Sequence, residues 1–586
     1  MFVTNTEHLI PQNVKHFWSF VKNLKSDSNL PSEMTYNQQT VTDSQDIANA
    51  FASHFQTCYS DHTDVVVASV HPVNFATILS SHNFTDTEIS NKLSNLDVSK
   101  KAGPDGIPAL FLKNCCTSLT GPLRVLFQQS MNSGTFPSVW KVSILQPIFK
   151  SGDRAAVENY RGISLLSAIP KLFESIVTDE LFNVFKNCII VEQHGFYRGR
   201  SAVTNLAVYQ ESLVSSVEVY RQVDAIYTDL SKAFDSVCHS LLIKKLSEIG
   251  VTGSYLRWIE SYLSDRRQHV NICGSSSHEV LVSSGVPQGS HMGPVLFSLF
   301  INDVISCFKS SHCLLYADDL KFYSVVYPGT NCLQDDLNSF VTWCNKNFLK
   351  INIAKCKSIS FHKCVQPIVQ TYSIDHINIE RVKSVNDLGV IFSSDLSFNL
   401  HIDNIVLKSS RLLGFIKRNT KHISDTKALI CLYNCLVRST LEYCSVIWTP
   451  RYACHINRLE RVQNKFVKYL LYKFHFPYND LPYETRLLLC GFKSLECRRR
   501  QAFLLLLYKI MNGLTDCDIL LGAISISVPN RRTRHTHLFH ERVHRTNYGQ
   551  GAFVDRMAAN YNRFFTDCDI FNINLLSLKR LLTCRL

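Results

Sequence analysis

The chain has 586 residues, 45% hydrophobic and 19% charged, with 61 Lys and Arg against 48 Asp and Glu for a formal net charge of +13. That length supports several sub-domains with sizeable cores, and that balance of apolar to charged residues excludes a disordered chain. The positive excess suits a polyanionic partner without identifying one. The 21 Cys are scattered, with no paired Cys/His zinc spacing and no signal peptide, so they read as reduced thiols of an intracellular protein of the nucleus or cytoplasm. The sequon Asn83-Phe84-Thr85 is then not expected to be glycosylated. The longest apolar run, near 502–508, is too short to span a bilayer, so no membrane partner is expected.

In chain order, helical patches fall at 14–24 and 44–58, and Thr85 with Glu88 forms a capping box that opens a helix through Ile89, Leu93 and Leu96. The Gly103-Pro104-Asp105-Gly106 turn leads to a helical stretch and a strand-like run at 140–149. Residues 223–230 read as a strand ending in Asp229, followed by Ser231-Lys232-Ala233-Phe234-Asp235. The glycines of Gly285-Val286-Pro287-Gln288-Gly289-Ser290 permit backbone to approach a nucleotide closely, and an apolar helical stretch follows. Two short runs, 313–315 and 320–326, then flank Tyr316-Ala317-Asp318-Asp319 as a tight β-hairpin with adjacent carboxylates at its tip. Leu333, Leu337, Phe340, Val341, Cys344 and Phe348 recur at helical spacing, as in a core-facing helix. Beyond about residue 400 the pattern is mostly helical, at 405–416, 426–443 and 455–472, punctuated by Arg498-Arg499-Arg500 and Arg531-Arg532-Thr533-Arg534. His535, His537, His540 and His544 lack partner cysteines and lie in basic surroundings, so they read as a solvated segment facing nucleic acid rather than a metal site. There is no internal repeat.

Two neighbouring Asp repel each other, and beside apolar strands they call for a cation; oxygen ligands of this kind suit Mg²⁺. Taken alone, the pair equally fits a solvated acidic turn. A third acid, Asp229, changes the balance: if its strand lies beside the hairpin, the carboxylates can hold two ions roughly 3.5–4 Å apart, a clamp for in-line phosphoryl displacement.

Asp229 with Phe234, Pro287-Gln288-Gly289-Ser290 and Tyr316-Ala317-Asp318-Asp319 resemble the successive palm motifs of reverse transcriptases, and more closely those of non-long-terminal-repeat (LINE-type, jockey-like) retrotransposons. Lys101-Ala102-Gly103-Pro104-Asp105-Gly106-Ile107-Pro108, Phe149-Lys150-Ser151-Gly152-Asp153, 159–167, Gln193-His194-Gly195-Phe196 and Asp387-Leu388-Gly389-Val390 agree with that resemblance. A group II intron maturase or telomerase-like enzyme would share the palm, but 159–167 and 101–108 look LINE-like. The resemblance implies an α+β right hand: an N-terminal helical extension (1–84), fingers and a palm with an antiparallel sheet (85–395), a helical thumb (396–475) and a basic, mostly helical C-terminal region (476–586).

The resemblance also assigns roles. Asp229, Asp318 and Asp319 would hold two Mg²⁺ ions, with Mn²⁺ as the alternative, and Lys355 matches a lysine that protonates departing pyrophosphate. Lys150 and Arg161 would hold the incoming deoxynucleoside triphosphate, while Gln288 and Gly289 would line the nascent base pair. Phe234, five residues after Asp229, stands where the family places a ring that collides with a ribose 2′-OH; Leu388 and Gly389 would form the primer grip. The implied activity is an RNA-directed DNA polymerase that extends a DNA primer on an RNA template, by target-primed reverse transcription. The alternative is a catalytically inactive remnant that binds RNA or DNA. Gly162 stands where the family usually has Pro, which is expected to loosen the backbone beside Arg161. His291 and Met292 depart from the family's small or aliphatic residues, and Cys356 from its common Thr. The family usually carries an endonuclease upstream; the polymerase-like region here begins almost at Met1, so an endonuclease domain is not expected in this chain.

Overall fold

The computed structural model describes every residue except 1–6, 26–29, 61–76, 221, 365, 529–536, 545, 547–548, 567 and 585–586. Arg531, Arg532, Arg534 and His535 therefore lie outside the described residues.

The early helical patches form α1 (Lys15–Lys25) and α2 (Ser44–Gln56), the latter capped by Asp43, whose carboxylate accepts from the Gln45 amide at 2.8 Å. α3 (Asp86–Ser94) opens on the expected capping box, in which the Glu88 amide donates to Thr85 Oγ1 at 3.3 Å and the Thr85 amide to Glu88 at 2.9 Å. It ends at Ser94, so Leu96 packs from the following turn rather than from the helix. After α4 (Cys116–Ser133), β1 (Val142–Phe149) and β2 (Tyr160–Leu165) make an antiparallel hairpin with Ile148 opposite Arg161. α5 (Ala168–Phe185) and α6 (Ala202–Tyr220) lead into β3 (Gln222–Thr228). α7 (Gly253–Leu263) precedes β4 (Arg266–Ile272), which returns to pair in parallel with β1.

The chain then forms α8 (Met292–Phe300), the hairpin β5 (His312–Tyr316) and β6 (Asp319–Val325), α9 (Cys332–Lys346) and β7 (Lys357–His362). Strands β5, β6, β3 and β7 lie side by side and antiparallel, with the short strand Glu380–Arg381 at the far edge. β8 (Ser384–Asp387) and β9 (Val390–Ser393) form a further hairpin. Helices complete the chain: α10 (Asn399–Asn419), a continuous helical run over 426–442 whose middle is wound as a π-helix, α11 (Ala453–Lys473), α12 (Leu495–Met511), α13 (Phe553–Phe564) and α14 (Leu575–Cys584).

β3 has its residues buried almost throughout because the sheet separates two cores. Val223 and Ala225 face a core shared with Phe17, Tyr209, Ile416, Phe466, Phe503, Tyr561 and Leu582; Ile226 faces one shared with Phe127, Phe173, Trp258, Phe297 and Phe340. The first core thus draws on the chain from α1 to α14. A third, smaller core packs Phe51 and Phe55 of α2 against Leu145, Tyr160 and Val270 of the β1–β2–β4 sheet. Among the described residues no helix is long and apolar enough to cross a membrane.

Two polar clusters find partners within the fold. Arg498 pairs with Glu442 (Nη2–Oε2 2.9 Å), Arg500 pairs with Glu496 at 2.6 Å and stands over the Phe564 ring, and Arg499 is 2% exposed. Arg498 and Arg500 are thus engaged within the protein, and Arg499 is buried between them. His544 is not solvated: Nδ1 lies 2.8 Å from Glu218 on α6 and Nε2 lies 2.6 Å from Asp555 on α13. Glu218, remote in sequence, and Asp555, on the next helix, take up the ring between them; His537 and His540 remain exposed.

Candidate active site

The register of β3 and β6 builds the site. Thr228 pairs with Leu320, so Asp229, one residue past β3, comes beside Asp319 at the start of β6 and Asp318 in the turn before it. The turn is tight, with Tyr316 paired to Asp319 and Ala317 in the left-handed region at φ 58°. A buried clamp holds it there. Gln193 is 1% exposed, and its Oε1 accepts the Ala317 amide at 3.0 Å and the Gly195 amide at 2.8 Å. The His194 amide donates to Leu315 O at 2.9 Å, and the Asn205 side-chain amide reaches the same carbonyl at 3.0 Å. The sequence marked 193–196 as a motif without showing this support; the backbone amides that Gln193 serves are assembled only in three dimensions. Asp224, the other acid of the strand, is structural: fully buried, it accepts Arg381 Nη2 and the Tyr372 hydroxyl, each at 2.9 Å.

Two adjoining cavities meet at Asp229. One, about 340 Å³, is lined by Asp229, Asp318, Lys150, Arg161, Asp235, Gln288 and Lys355. The other, about 520 Å³, is lined by Asp229, Asp319, Lys355, Asn386, Asp387 and Leu388. Lys150 and Arg161 come from the end of the β1–β2 hairpin, where the Lys150 amide donates to Asn159 O at 2.9 Å. Lys355 Nζ lies 3.3 Å from Asp229 Oδ2. Burial, then the neighbouring Asp229, raises the Asp318 carboxyl above its ordinary range against the pull of Arg161 and Lys150. Asp319 is pushed up to about 6 by burial and then by Asp318, Asp387 and Asp229.

Asp318 and Asp319, each raised by burial and by a neighbouring carboxylate, offer with Asp229 an all-oxygen donor set that suits Mg²⁺ or Mn²⁺. Among the described residues no three His, Cys, Asp or Glu side chains already close into a chelate.

The other expected residues divide. Gln288 lines the first cavity and donates to Asp235 Oδ1 at 2.7 Å. Gly289, at φ 112°, approaches so closely that a Cβ would stand 2.7 Å from Ser164 O, which explains the glycine. Phe234 is not among the residues lining either cavity; it is half-buried and stacks on Phe297 with centroids 4.3 Å apart. Leu388 and Gly389 form the β8–β9 turn, both at positive φ, and the Tyr443 hydroxyl donates to Leu388 O at 2.9 Å. Gly162 does not loosen β2: it pairs with Pro147, and a Cβ there would lie 3.3 Å from Leu145 and 3.4 Å from Phe55. Met292 and Cys356 are buried, whereas His291 is exposed beside a basic groove.

A sheet that gathers three carboxylates between a cation-bearing hairpin and a glycine-rich loop is the palm of a nucleic-acid polymerase. Residues 148–392 match the family described as reverse transcriptase (RNA-dependent DNA polymerase), and the chain carries that domain. It is similar to the RNA-directed DNA polymerase from mobile element jockey of Drosophila melanogaster, at 25% identity over 65% of this chain and 43% of that protein. It is also similar to the "Probable RNA-directed DNA polymerase from transposon BS" of the same organism, at 26% identity over 68% of this chain and 45% of that one. A third relative, from transposon X-element, is 25% identical over 66% of this chain and 44% of its own length. These are polymerases of non-LTR transposons, and this chain spans about half their length.

Proposed function

We propose that the chain is an RNA-directed DNA polymerase that extends the 3′ end of a DNA primer on an RNA template, with deoxynucleoside triphosphates as substrates. The observation that carries this reading is the meeting of Asp229, Asp318 and Asp319 at cavities that also receive Lys150, Arg161 and Lys355. Asp229, Asp318 and Asp319 would hold two Mg²⁺ ions, whose charge would lower the pKa of the primer hydroxyl and offset negative charge on the reacting phosphate. Lys150 and Arg161 reach the first cavity from the β1–β2 hairpin and would bind the triphosphate oxygens. Gln288, tied to Asp235, would face the new base pair. Lys355 stands close enough to the site to donate a proton to departing pyrophosphate. The Leu388–Gly389 turn, across the second cavity from Asp319, would carry the primer terminus.

A groove of about 1040 Å³ on the β1–β2 side supports a single-stranded template: Lys92, Lys100, Lys101, Arg154 and Lys171 line it beside the apolar Ile148 and Phe149. Similarity to mobile-element polymerases supports a nicked genomic strand as the primer, and hence action in the nucleus. Purified protein given poly(rA), oligo(dT), dTTP and Mg²⁺ is expected to incorporate deoxynucleotide, and Asp318→Ala to abolish incorporation with an unchanged circular-dichroism spectrum. Incorporation that survives Asp318→Ala overturns the assignment of the acids; none by the unaltered protein overturns the polymerase itself.

A further inference from the structure

The strand that carries Asp319 and the strand that carries the Leu388–Gly389 turn are joined by a buried ion pair. Lys321 lies two residues beyond Asp319 on β6, on the same face of the sheet. Its ammonium meets Asp387, the last residue of β8, and the two side chains are 5% and 6% exposed. The contact is further enclosed: Lys321 Nζ stands 4.4 Å from the centroid of the Tyr209 ring, and the Tyr227 hydroxyl lies 3.4 Å from Asp387 Oδ2 and 2.9 Å from the Tyr209 hydroxyl. Asp387 is followed directly by Leu388, whose carbonyl accepts the Tyr443 hydroxyl. The pair thus runs along the cavity between Asp319 and Leu388.

We propose that Lys321 and Asp387 are positioning residues that set the spacing between the catalytic strand and the primer-side turn, and so place the primer 3′ end; this rests on the polymerase reading above. Neither residue touches the reacting atoms. A fully buried pair is a rigid tie, because either partner moving alone strands the other's charge away from water. Apolar packing would join the strands as well, but would let the hairpin slide; a single lysine–carboxylate contact fixes one register.

The test replaces both partners, so that no charge is left unpaired and the net charge beside Asp319 is kept. Lys321→Met/Asp387→Leu is compared with Lys321→Met, Lys321→Arg and unaltered protein on a fluorescein-labelled poly(rA)–oligo(dT) substrate. The double variant is expected to melt as one transition and to keep the template–primer Kd and the KM for dTTP within about twofold. Its kcat is expected to fall about 10- to 100-fold, as for a reacting group displaced by about an ångström. Its preference for a matched over a mismatched primer terminus is expected to weaken as well. Lys321→Met, which leaves Asp387 charged and alone, is expected to be worse than the double variant, and Lys321→Arg to recover most of kcat.

A double variant with unaltered kcat and mismatch preference overturns the proposal, as does a loss of kcat that merely tracks the unfolded fraction. If the unaltered protein neither binds the hybrid nor incorporates dTTP, the polymerase reading fails and takes this one with it. Activity in the unaltered protein with an indifferent double variant removes this inference alone.

Discussion

A Cβ placed on Gly195 would stand 2.2 Å from the Ala317 backbone nitrogen and 2.8 Å from the Tyr316 carbonyl carbon. Only a glycine lets the 193–196 segment press this closely on the turn that presents Asp318. Gly195→Ala must therefore push the turn away, and incorporation is expected to fall by about 100-fold. The measurement is single-turnover dTTP addition with circular dichroism as the control. An active Gly195→Ala protein would show that the turn tolerates displacement.

Asp319 gives a pH dependence. Its carboxyl is pushed up to about 6 from the ordinary 3.8, so the folded protein holds this proton more tightly than the unfolded chain. The stabilisation present at low pH is lost as pH rises through that window. Without divalent cations, melting temperature is expected to decline between pH 4 and 6 by an amount that Asp319→Asn removes. Millimolar Mg²⁺ should restore stability above pH 6 and do little at pH 4, where protons occupy the carboxylates. A cation effect independent of pH would count against a carboxylate site.

Phe234 stacks on Phe297 and meets Phe196 edge-on at 6.0 Å. Phe234→Val is expected to destabilise the protein by about 1–2 kcal/mol, since the ring is only half-buried. If the ring also turns toward the sugar, the ratio of UTP to dTTP incorporation will rise at least about tenfold, equivalent to about 1.4 kcal/mol. A lower melting temperature with unchanged sugar preference assigns the ring to packing alone.

His544 lies between Glu218 and Asp555, and although burial opposes its charge, hydrogen bonds to the two carboxylates raise its pKa above the ordinary 6.5. With the folded value raised, the clamp contributes fully below pH 6.5 and is lost as pH rises through the higher value. Limited proteolysis between Phe539 and Phe553 is expected to accelerate on going from pH 6 to 8.5 in the unaltered protein. His544→Ala should be cut rapidly at both values; equal resistance of the two proteins would deny the clamp any role.

The basic groove predicts a salt signature. Lys100→Gln and Lys101→Gln should each weaken binding of single-stranded RNA at low salt and lower the slope of log K against log salt by about 0.7 for each phosphate left without its lysine. Fluorescence anisotropy from 50 to 300 mM KCl reads both quantities. An unchanged slope would place the RNA elsewhere.

How much of this was legible depends on the range of the signal. The hairpin around Asp318, the strand before Asp229 and the Thr85–Glu88 cap are local patterns, and each forms as the sequence reads. The roles of Gln193, Lys321 and Asp387 were hidden, because Ala317 lies 124 residues from Gln193 and Lys321 lies 66 from Asp387, and nothing in their own neighbourhoods announces a buried contact. His544 misled in part for the same reason: its basic neighbours suggested solvent, whereas one carboxylate partner, Glu218, lies far back in the chain and the other, Asp555, is brought round by the start of α13. The partners of Arg498 and Arg500 were equally hidden, because Glu442 and Phe564 are remote.

Phe17 of α1 and Leu582 of α14 share a single core with the back of the catalytic sheet. During synthesis, then, this core stays incomplete until Leu578 and Leu582 have emerged from the ribosome. A product that stops short of α14 would leave the part of the core that this helix fills beside α12 open to solvent.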